Sequence, residues 1–337
     1  MARLRVVHLV DDTTAGGVMR VLDHLMTAPE LSRDATHSLE VIDRSAMLSK
    51  RIAADLIVSH LAVSWRALPF LLSLRTRHPR AKLVHVEHSY TEGFVATNVT
   101  HRRRFALLLR IAYLVFDRVV AVSHAQGVWL QRSGAVRKSA LKVIQSCVDL
   151  TAFRAIAPET RPVRVFGAIG RLDKQKGFDT LIRAFRMTDR SDISLYIYGE
   201  GAEEASLRAL AGDDARIHFK GFTNDPVAAM AKVDAIAMPS IWEAYGLVAI
   251  EALAAGRRLL VNPVDGLMDH VPLGALAVRT GSVWAWKQAI LDLAEARSAT
   301  DTCGIGPSVR PEDEFADQWD NLVQEIIPLN AHIRLSA

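Results

Sequence analysis

The chain has 337 residues, half of them hydrophobic and 23% charged, a length that favours two domains and a composition ordinary for a globular protein with a sizeable core. A net charge of +4 and a pI near 9.2 suit an anionic substrate or a membrane surface, but are too weak to argue for nucleic acid. No uncharged apolar run approaches the ~18 residues of a membrane-spanning helix. The opening segment is too short for a signal peptide, and the two cysteines, Cys147 and Cys303, lack metal-like spacing, so a reducing, cytoplasmic setting is expected.

Residues Leu4–Val10 read as a buried parallel strand, Asp11–Gly17 as a loop, and Val18–Met26 as a helix with Val18, Val21, Leu22 and Leu25 on one stripe. Strand, glycine loop and helix open a doubly wound domain, in which ligands sit at the carboxyl ends of strands. The loop is not G-x-G-x-x-G, so Gly16 and Gly17 fit a tight turn as well as a ligand loop. Strands are predicted over 38–42 and 54–59, with loop and helix between them; His60, at the end of the second, faces the expected cleft, and a structural histidine is favoured there over a site residue. Residues Lys82–His88 form another strand, and His88 stands at its ligand-facing end. Residues His101–Asp117 are helical, with arginines at one end and apolar residues nearly all round. That pattern fits a helix buried against the sheet with snorkelling arginines, or a basic patch on anionic lipid; the first is favoured. A strand over Arg118–Ser123 and a helix from His124 follow.

A polar, proline-bearing linker runs over 157–162. Val163–Ile169 is a strand, Gly170–Gly177 reads G-R-L-D-K-Q-K-G, and Phe178–Met187 is a helix. Arginine offers phosphate a planar fork and lysine a compact charge, so Arg171 and Lys176 are candidates to neutralise a diphosphate at that strand end. Strands over 195–198 and 217–222 follow. The most informative stretch is Pro239–Gly256, P-S-I-W-E-A-Y-G-L-V-A-I-E-A-L-A-A-G, preceded by a buried strand over Val233–Met238. It gives strand, loop and helix, with Glu243 in the loop, Glu251 about a turn into the helix and Gly256 as the stop. The helix N-terminus at Gly246 and Leu247 offers unpaired N–H groups to phosphate, and an ionised glutamate beside it can grip sugar hydroxyls. A strand over 258–262, the loop P-V-D-G-L-M-D, and helices over 284–296 and 315–327 complete the chain.

The pattern P-S-x-x-E-x-x-G-x-x-x-x-E-A-x-A-x-G resembles the signature of retaining family 4 glycosyltransferases, which have the GT-B fold. G-R-L-D-K-Q-K-G is similar to that family's G-R-L-x-x-x-K-G. The resemblance implies that Glu243 touches the donor sugar's hydroxyls and Glu251 the ribose, with the backbone at Gly246 and Leu247 near the diphosphate and sugar. It implies further that Gly170, Arg171 and Lys176 contact the diphosphate, that Gly16 and Gly17 approach the diphosphate and the acceptor, and that His88 lies close to the sugar and the leaving diphosphate. V-I-Q-S-C-V-D at Val143–Asp149 departs from the family's V-I-P-N-G-V-D, and Asp265, Gly266 and Asp269 only partly match its G-G-x-x-E.

The expected fold is α/β, GT-B: two facing Rossmann-like doubly wound domains with the active site in the cleft between them. Residues 1–157 would form the acceptor-binding domain, 158–312 the nucleotide-sugar domain, and 313–330 a helix crossing back to the first. The expected reaction is transfer of a hexose from a nucleotide diphosphate sugar to a glycan or lipid-linked hydroxyl in cell-surface polysaccharide synthesis. The configuration would be retained, with no cofactor and no metal, for which no D-x-D motif exists. Peripheral contact with an anionic membrane on its inner face stays open as the less favoured reading of the basic helix. The rival readings are a nucleotide-sugar epimerase and a catalytically silent GT-B subunit.

Overall fold

The computed structural model describes residues 3–14, 16–29, 31, 35–43, 50–157, 162–296, 305 and 309–327; Cys303 and linker positions 158–161 lie outside them. The chain divides into two compact units, one of residues up to Val148 together with those from Arg310 on, the other of Asp149–Val309.

The first unit runs β1 (Leu4–Val10), α1 (Gly17–Thr27), β2 (Ala35–Val41), β3 (Leu56–Ser59), α2 (Leu68–Arg77), β4 (Lys82–Glu87), α3 (Glu92–Asn98), α4 (Arg102–Tyr113), β5 (Arg118–Ala121), α5 (His124–Arg132) and β6 (Leu141–Val143). Its six strands pair in parallel in the order β2-β1-β3-β4-β5-β6. The near-continuous apolar strands β1, β3 and β4 are buried on both faces, as parallel strands between helical layers must be. Leu9, Ile57, Leu83 and Val119 meet Phe70, Leu74, Leu109 and Phe116 in one core. The order reverses between β1 and β3, which makes the ends of those strands the unit's switch point.

The second unit continues with α6 (Thr151–Arg154), β7 (Val165–Ile169), α7 (Phe178–Arg186), β8 (Ser194–Tyr198), α8 (Glu204–Ala211), β9 (Ile217–Gly221), α9 (Pro226–Ala231), β10 (Ala235–Met238), α10 (Leu247–Ala254), β11 (Arg258–Val261), β12 (Leu276–Ala277) and α11 (Val283–Glu295). All six strands are parallel, in the order β12-β11-β10-β7-β8-β9, so here the switch point lies between β7 and β10. Phe166, Ala168, Leu195 and Ile197 of the sheet pack on Phe185 of α7 and Trp286 of α11. The last helix, α12 (Pro311–Ile326), groups with the first unit. Its Glu325 pairs with Arg118 at 2.7 Å and Lys142 at 2.5 Å, and Phe315 lies 5.6 Å from the His24 ring.

Local expectations met the structure unevenly. The helix predicted over 101–117 is the shorter α4, and it is one-sided: Leu108, Leu109, Ala112 and Tyr113 are buried, while Leu107 and Leu114 are exposed. Apolar residues all round did not mean burial all round, because the sheet covers only one stripe. The helix expected between β2 and β3 falls partly on positions 44–49, which lie outside the described residues. The loop after β11 contains a 3₁₀ run, Asp265–Leu273, and α3 was not foreseen, although Thr91 caps it by accepting from the Phe94 N–H at 3.0 Å.

Candidate active site

In the second unit the switch point brings the loop after β7 against the loop after β10. A backbone N–H of Ile241 donates to the Gln175 carbonyl at 2.8 Å, and the Gln175 amide donates to the Trp242 carbonyl at 3.0 Å. Gly177 has φ 63°, and a Cβ there would run into the Pro239 carbonyl, so only glycine lets the two loops approach this closely.

That approach places Lys176 Nζ 2.6 Å from Glu243 Oε2, with the two side chains only 15% and 12% exposed. The stem of Lys176 lies over Gly170, where an added Cβ would stand 3.2 Å from Cε. Lys176 is seated from its own side by Asp173, whose carboxylate accepts the Lys176 N–H at 3.2 Å. Loop backbone bonds from Gly170 to Tyr198 (3.0 Å) and from Leu172 to Glu200 (2.9 Å) tie this segment to the end of β8. Arg171 is placed differently: its side chain is 74% exposed and reaches Asp173 and Gln175, each at 3.2 Å. An enclosed lysine and an exposed arginine therefore share the loop.

Glu243 has further partners that sequence reading missed. Ser240 Oγ donates to Glu243 Oε2 at 3.2 Å, and Asp265 accepts the Glu243 N–H at 3.3 Å. Asn262 donates to the carbonyls of Pro239 and Ser240 and accepts the Trp286 indole N–H at 2.8 Å, holding the loop at its base. Ser240 belongs to the P-S-x-x-E pattern and was findable; Asp265 and Asn262 needed the fold, since they come from the loop after β11.

Gly246 has φ 89° and precedes α10, whose first turn carries no side-chain cap. A Cβ at Gly246 would lie 2.8 Å from Leu267 and 3.3 Å from Glu243 Cγ, so the glycine is needed both for its backbone and for room. The Ala249 N–H is taken by the Gly246 carbonyl at 2.9 Å, so the start of α10 beside Glu243 opens through Leu247 and Val248. Glu251 stands farther along α10 and is 1% exposed, in contrast to Glu243. Buried His270 lies 2.9 Å through Nε2 from the Tyr245 carbonyl, and burial holds its imidazole below the ordinary value.

In the first unit His88 directly follows β4. Its Nε2 is 2.9 Å from His60 Nδ1. Burial lowers the His88 imidazole to about 4, against the opposing charge of Glu87 and with help from His85. Glu87 is buried too; burial raises its carboxyl, but the His85 bond and charge, the Tyr113 hydroxyl at 2.6 Å and the Tyr90 N–H outweigh it and hold it low. Gly16 is the residue before α1, in extended conformation, and Gly17 is the first residue of that helix; neither has a backbone that requires glycine. Among the described residues no group of three or more His, Cys, Asp or Glu converges as metal ligands.

Two doubly wound parallel sheets, one carrying a lysine–glutamate pair and an open helix start at its switch point, have the architecture of the GT-B fold class. The model described as Glycosyltransferase Family 4 matches residues 7–152, and that described as Glycosyl transferases group 1 matches residues 163–296, together most of the chain. The chain belongs to this glycosyltransferase family.

An uncharacterized glycosyltransferase of Methanocaldococcus jannaschii is 38% identical over 31% of this chain and 28% of its own. A 41.2 kDa protein from the cps region of Klebsiella pneumoniae is 20% identical over 80% of this chain and 84% of its own. A Campylobacter jejuni 4-alpha-N-acetylgalactosaminyltransferase, named for a diphospho-undecaprenol-linked substrate, is 28% identical over 44% of this chain and 41% of its own. The matches to the first and third of these thus span less than half of those proteins. The solved structure of Anabaena HepE in complex with UDP-glucose superposes with a TM-score of 0.67 at 18% identity, covering 99% of this chain and 100% of that one, which is a likeness of fold.

Proposed function

We propose that the chain is a retaining, metal-independent hexosyltransferase that moves a hexose from a nucleotide diphosphate sugar to a hydroxyl of a glycan or lipid-linked acceptor, in cell-surface polysaccharide synthesis. The observation that carries this reading is the Lys176–Glu243 pair beside the uncapped start of α10. Lys176, Arg171, and the backbone at Gly170, Gly246 and Leu247 receive the diphosphate; Glu243 receives sugar hydroxyls, Glu251 the ribose, and Gly16 and Gly17 approach the phosphates. His88 meets the sugar.

In this mechanism the bond from the anomeric carbon to the leaving phosphate oxygen breaks. A bond to the acceptor oxygen forms on the same face, and the acceptor proton passes to the leaving phosphate. Positive charge grows on the sugar ring and negative charge on the phosphate. Preorganised cations and N–H dipoles oppose the latter, commonly worth about 3 kcal/mol per well-placed donor. The glycan-lipid name of the Campylobacter relative and the cps-region source of the Klebsiella one support the acceptor class, and the UDP-glucose held by the Anabaena protein supports the donor class. An acceptor at a lipid surface would suit α4, whose Arg102, Arg103 and Arg104 are exposed beside exposed Leu107.

The test is incubation with a panel of nucleotide sugars, with and without a glycan-lipid extract. Acceptor-dependent sugar transfer with an α linkage from an α-linked donor supports the reading. Inverted product, or interconversion of the donor without acceptor, overturns it.

A further inference from the structure

Four histidines cross the first unit's sheet in single file. His37 is on β2 and His8 on β1, while His60 and His88 directly follow β3 and β4; those four strands are consecutive neighbours in the sheet. His37 Nδ1 is 3.0 Å from His8 Nε2, His8 Nδ1 is 3.0 Å from His60 Nε2, and His60 Nδ1 is 2.9 Å from His88 Nε2. At the far end His37 Nε2 is 3.3 Å from the Leu31 carbonyl.

A neutral imidazole carries one N–H, so four neutral rings carry four. The file has four contacts, three between rings and one to a carbonyl, and each needs one proton. The carbonyl can only accept, so His37 must be protonated at Nε2 and bare at Nδ1. His8 must then donate from Nε2 and be bare at Nδ1, and the same condition passes to His60 and to His88. No proton is left for His88 Nδ1. Each ring is kept neutral by burial: His8 is lowered to about 3, His88 to about 4, His60 well down and His37 down. The groups around the file are His85, which disfavours charge on His60 and His88, and Glu87, bound by Tyr113, whose charge favours it on His88.

We propose that His37, His8 and His60 are positioning residues: anchored on the Leu31 carbonyl, they fix His88 as a neutral imidazole whose free Nδ1 accepts a hydrogen bond. This rests on the reading that His88 meets the bound donor, and it deepens it. An obligate acceptor selects a sugar hydroxyl and not an ionised phosphate oxygen, which has no proton to give. The file thus makes His88 a reader of hydroxyls whose tautomer is set three rings away.

The experiment is ¹⁵N spectroscopy of the histidine rings in the full chain near neutral pH, with His37→Asn and His37→Phe as variants at the partly exposed end of the file. The asparagine oxygen can replace Nδ1 as acceptor for His8, whereas phenylalanine cannot. Bare Nδ1 on all four wild-type rings is expected, kept on the remaining three in His37→Asn. In His37→Phe, His88 should gain a population protonated at Nδ1, and UDP-glucose should bind about 5- to 10-fold more weakly, the worth of one hydrogen bond, while UDP alone binds unchanged. A wild-type His88 protonated at Nδ1, or a His88 tautomer identical in all three proteins, overturns the proposal. The tautomers are read without turnover, so a protein with the expected ring states but no transferase activity would condemn the functional reading and leave the file standing.

Discussion

Replacing Lys176 by Met and Glu243 by Gln, singly and together, tests the centre of the proposed site. Exposed ion pairs contribute at most about 1 kcal/mol, whereas removing one partner of a fully buried pair costs about 3–5 kcal/mol. At 2.6 Å, with side chains 15% and 12% exposed, this pair lies between those limits and nearer the buried one. Lys176→Met leaves the Glu243 carboxylate with the Ser240 hydroxyl and should cost about 2 kcal/mol, or roughly 4–8 °C in the melting of the second unit. Glu243→Gln keeps an amide oxygen for Lys176 and should cost about 1 kcal/mol. In the double variant no charge is stranded, so its cost should fall short of the sum by about 1 kcal/mol or more. Calorimetry supplies the stabilities, and nucleotide titration supplies the functional arm. Lys176→Met should weaken UDP binding by about 10- to 100-fold, the loss of a charge-assisted bond of about 1.5–3 kcal/mol. Additive stabilities would refute the coupling, and unchanged UDP affinity in Lys176→Met would refute the diphosphate seat.

Glu243→Gln should lower turnover by at least ~10-fold, about 1.4 kcal/mol of barrier, with a smaller change in nucleotide affinity; Glu251→Gln should weaken donor and free nucleotide alike, and exchanged behaviours would misplace the donor. Activity should survive a strong chelator, and loss that Mn²⁺ or Mg²⁺ restores would end the metal-free assignment. Replacing Arg102, Arg103 and Arg104 with Gln should release the protein from anionic vesicles, in a salt-dependent way, without altering donor binding; equal binding by both forms would leave α4 no lipid role. The file of histidines also makes the first unit acid-sensitive. Each folded-state value lies below that of the unfolded chain, so the unfolded chain gains protons first as pH falls below about 6.5. Stability should then drop by up to about 1.4 kcal/mol per pH unit for each ring, down to about 4 for His88 and about 3 for His8. A flat unfolding free energy between pH 6.5 and 4 would contradict this.

Parallel strands announce themselves as apolar runs, which is why β1, β4, β7 and β10, and the helices after β1, β7 and β10, were legible within a residue or two. The loops that carry Lys176 and Glu243 were legible as motifs, but not their contact. Sixty-seven residues separate the two in sequence, and only the strand order, with β7 beside β10, joins their loops. Asp265 and Asn262 were hidden for the same reason: each acts from the loop after β11 on the loop after β10. Arg171 and Lys176 looked equivalent in G-R-L-D-K-Q-K-G, yet the turn capped by Asp173 buries the second and leaves the first in solvent. The histidines show the limit most plainly. His60 taken alone reads as a structural residue, and His8 and His37 sit inside unremarkable strands. Nothing short of the order β2-β1-β3-β4 reveals that the four form a line.

The same topology accounts for how a charged site can wait in a folded chain before its ligand arrives. A lysine as enclosed as Lys176 would be costly without a partner, and so would Glu243. Each satisfies the other, and Ser240 occupies the same carboxylate oxygen. Under the proposed function the arriving diphosphate gives Lys176 a second anion, and the sugar hydroxyls give Glu243 new donors. Neither side chain has to be recruited from solvent, and the loop backbone fixed by Gly177, Asn262 and Gln175 need not rearrange. Electrostatic stabilisation is effective when its dipoles and charges are already oriented before the reaction begins. A pair held at 2.6 Å by two loops meeting at a switch point meets that condition in the second unit, and a histidine whose tautomer is dictated by a distant carbonyl meets it in the first.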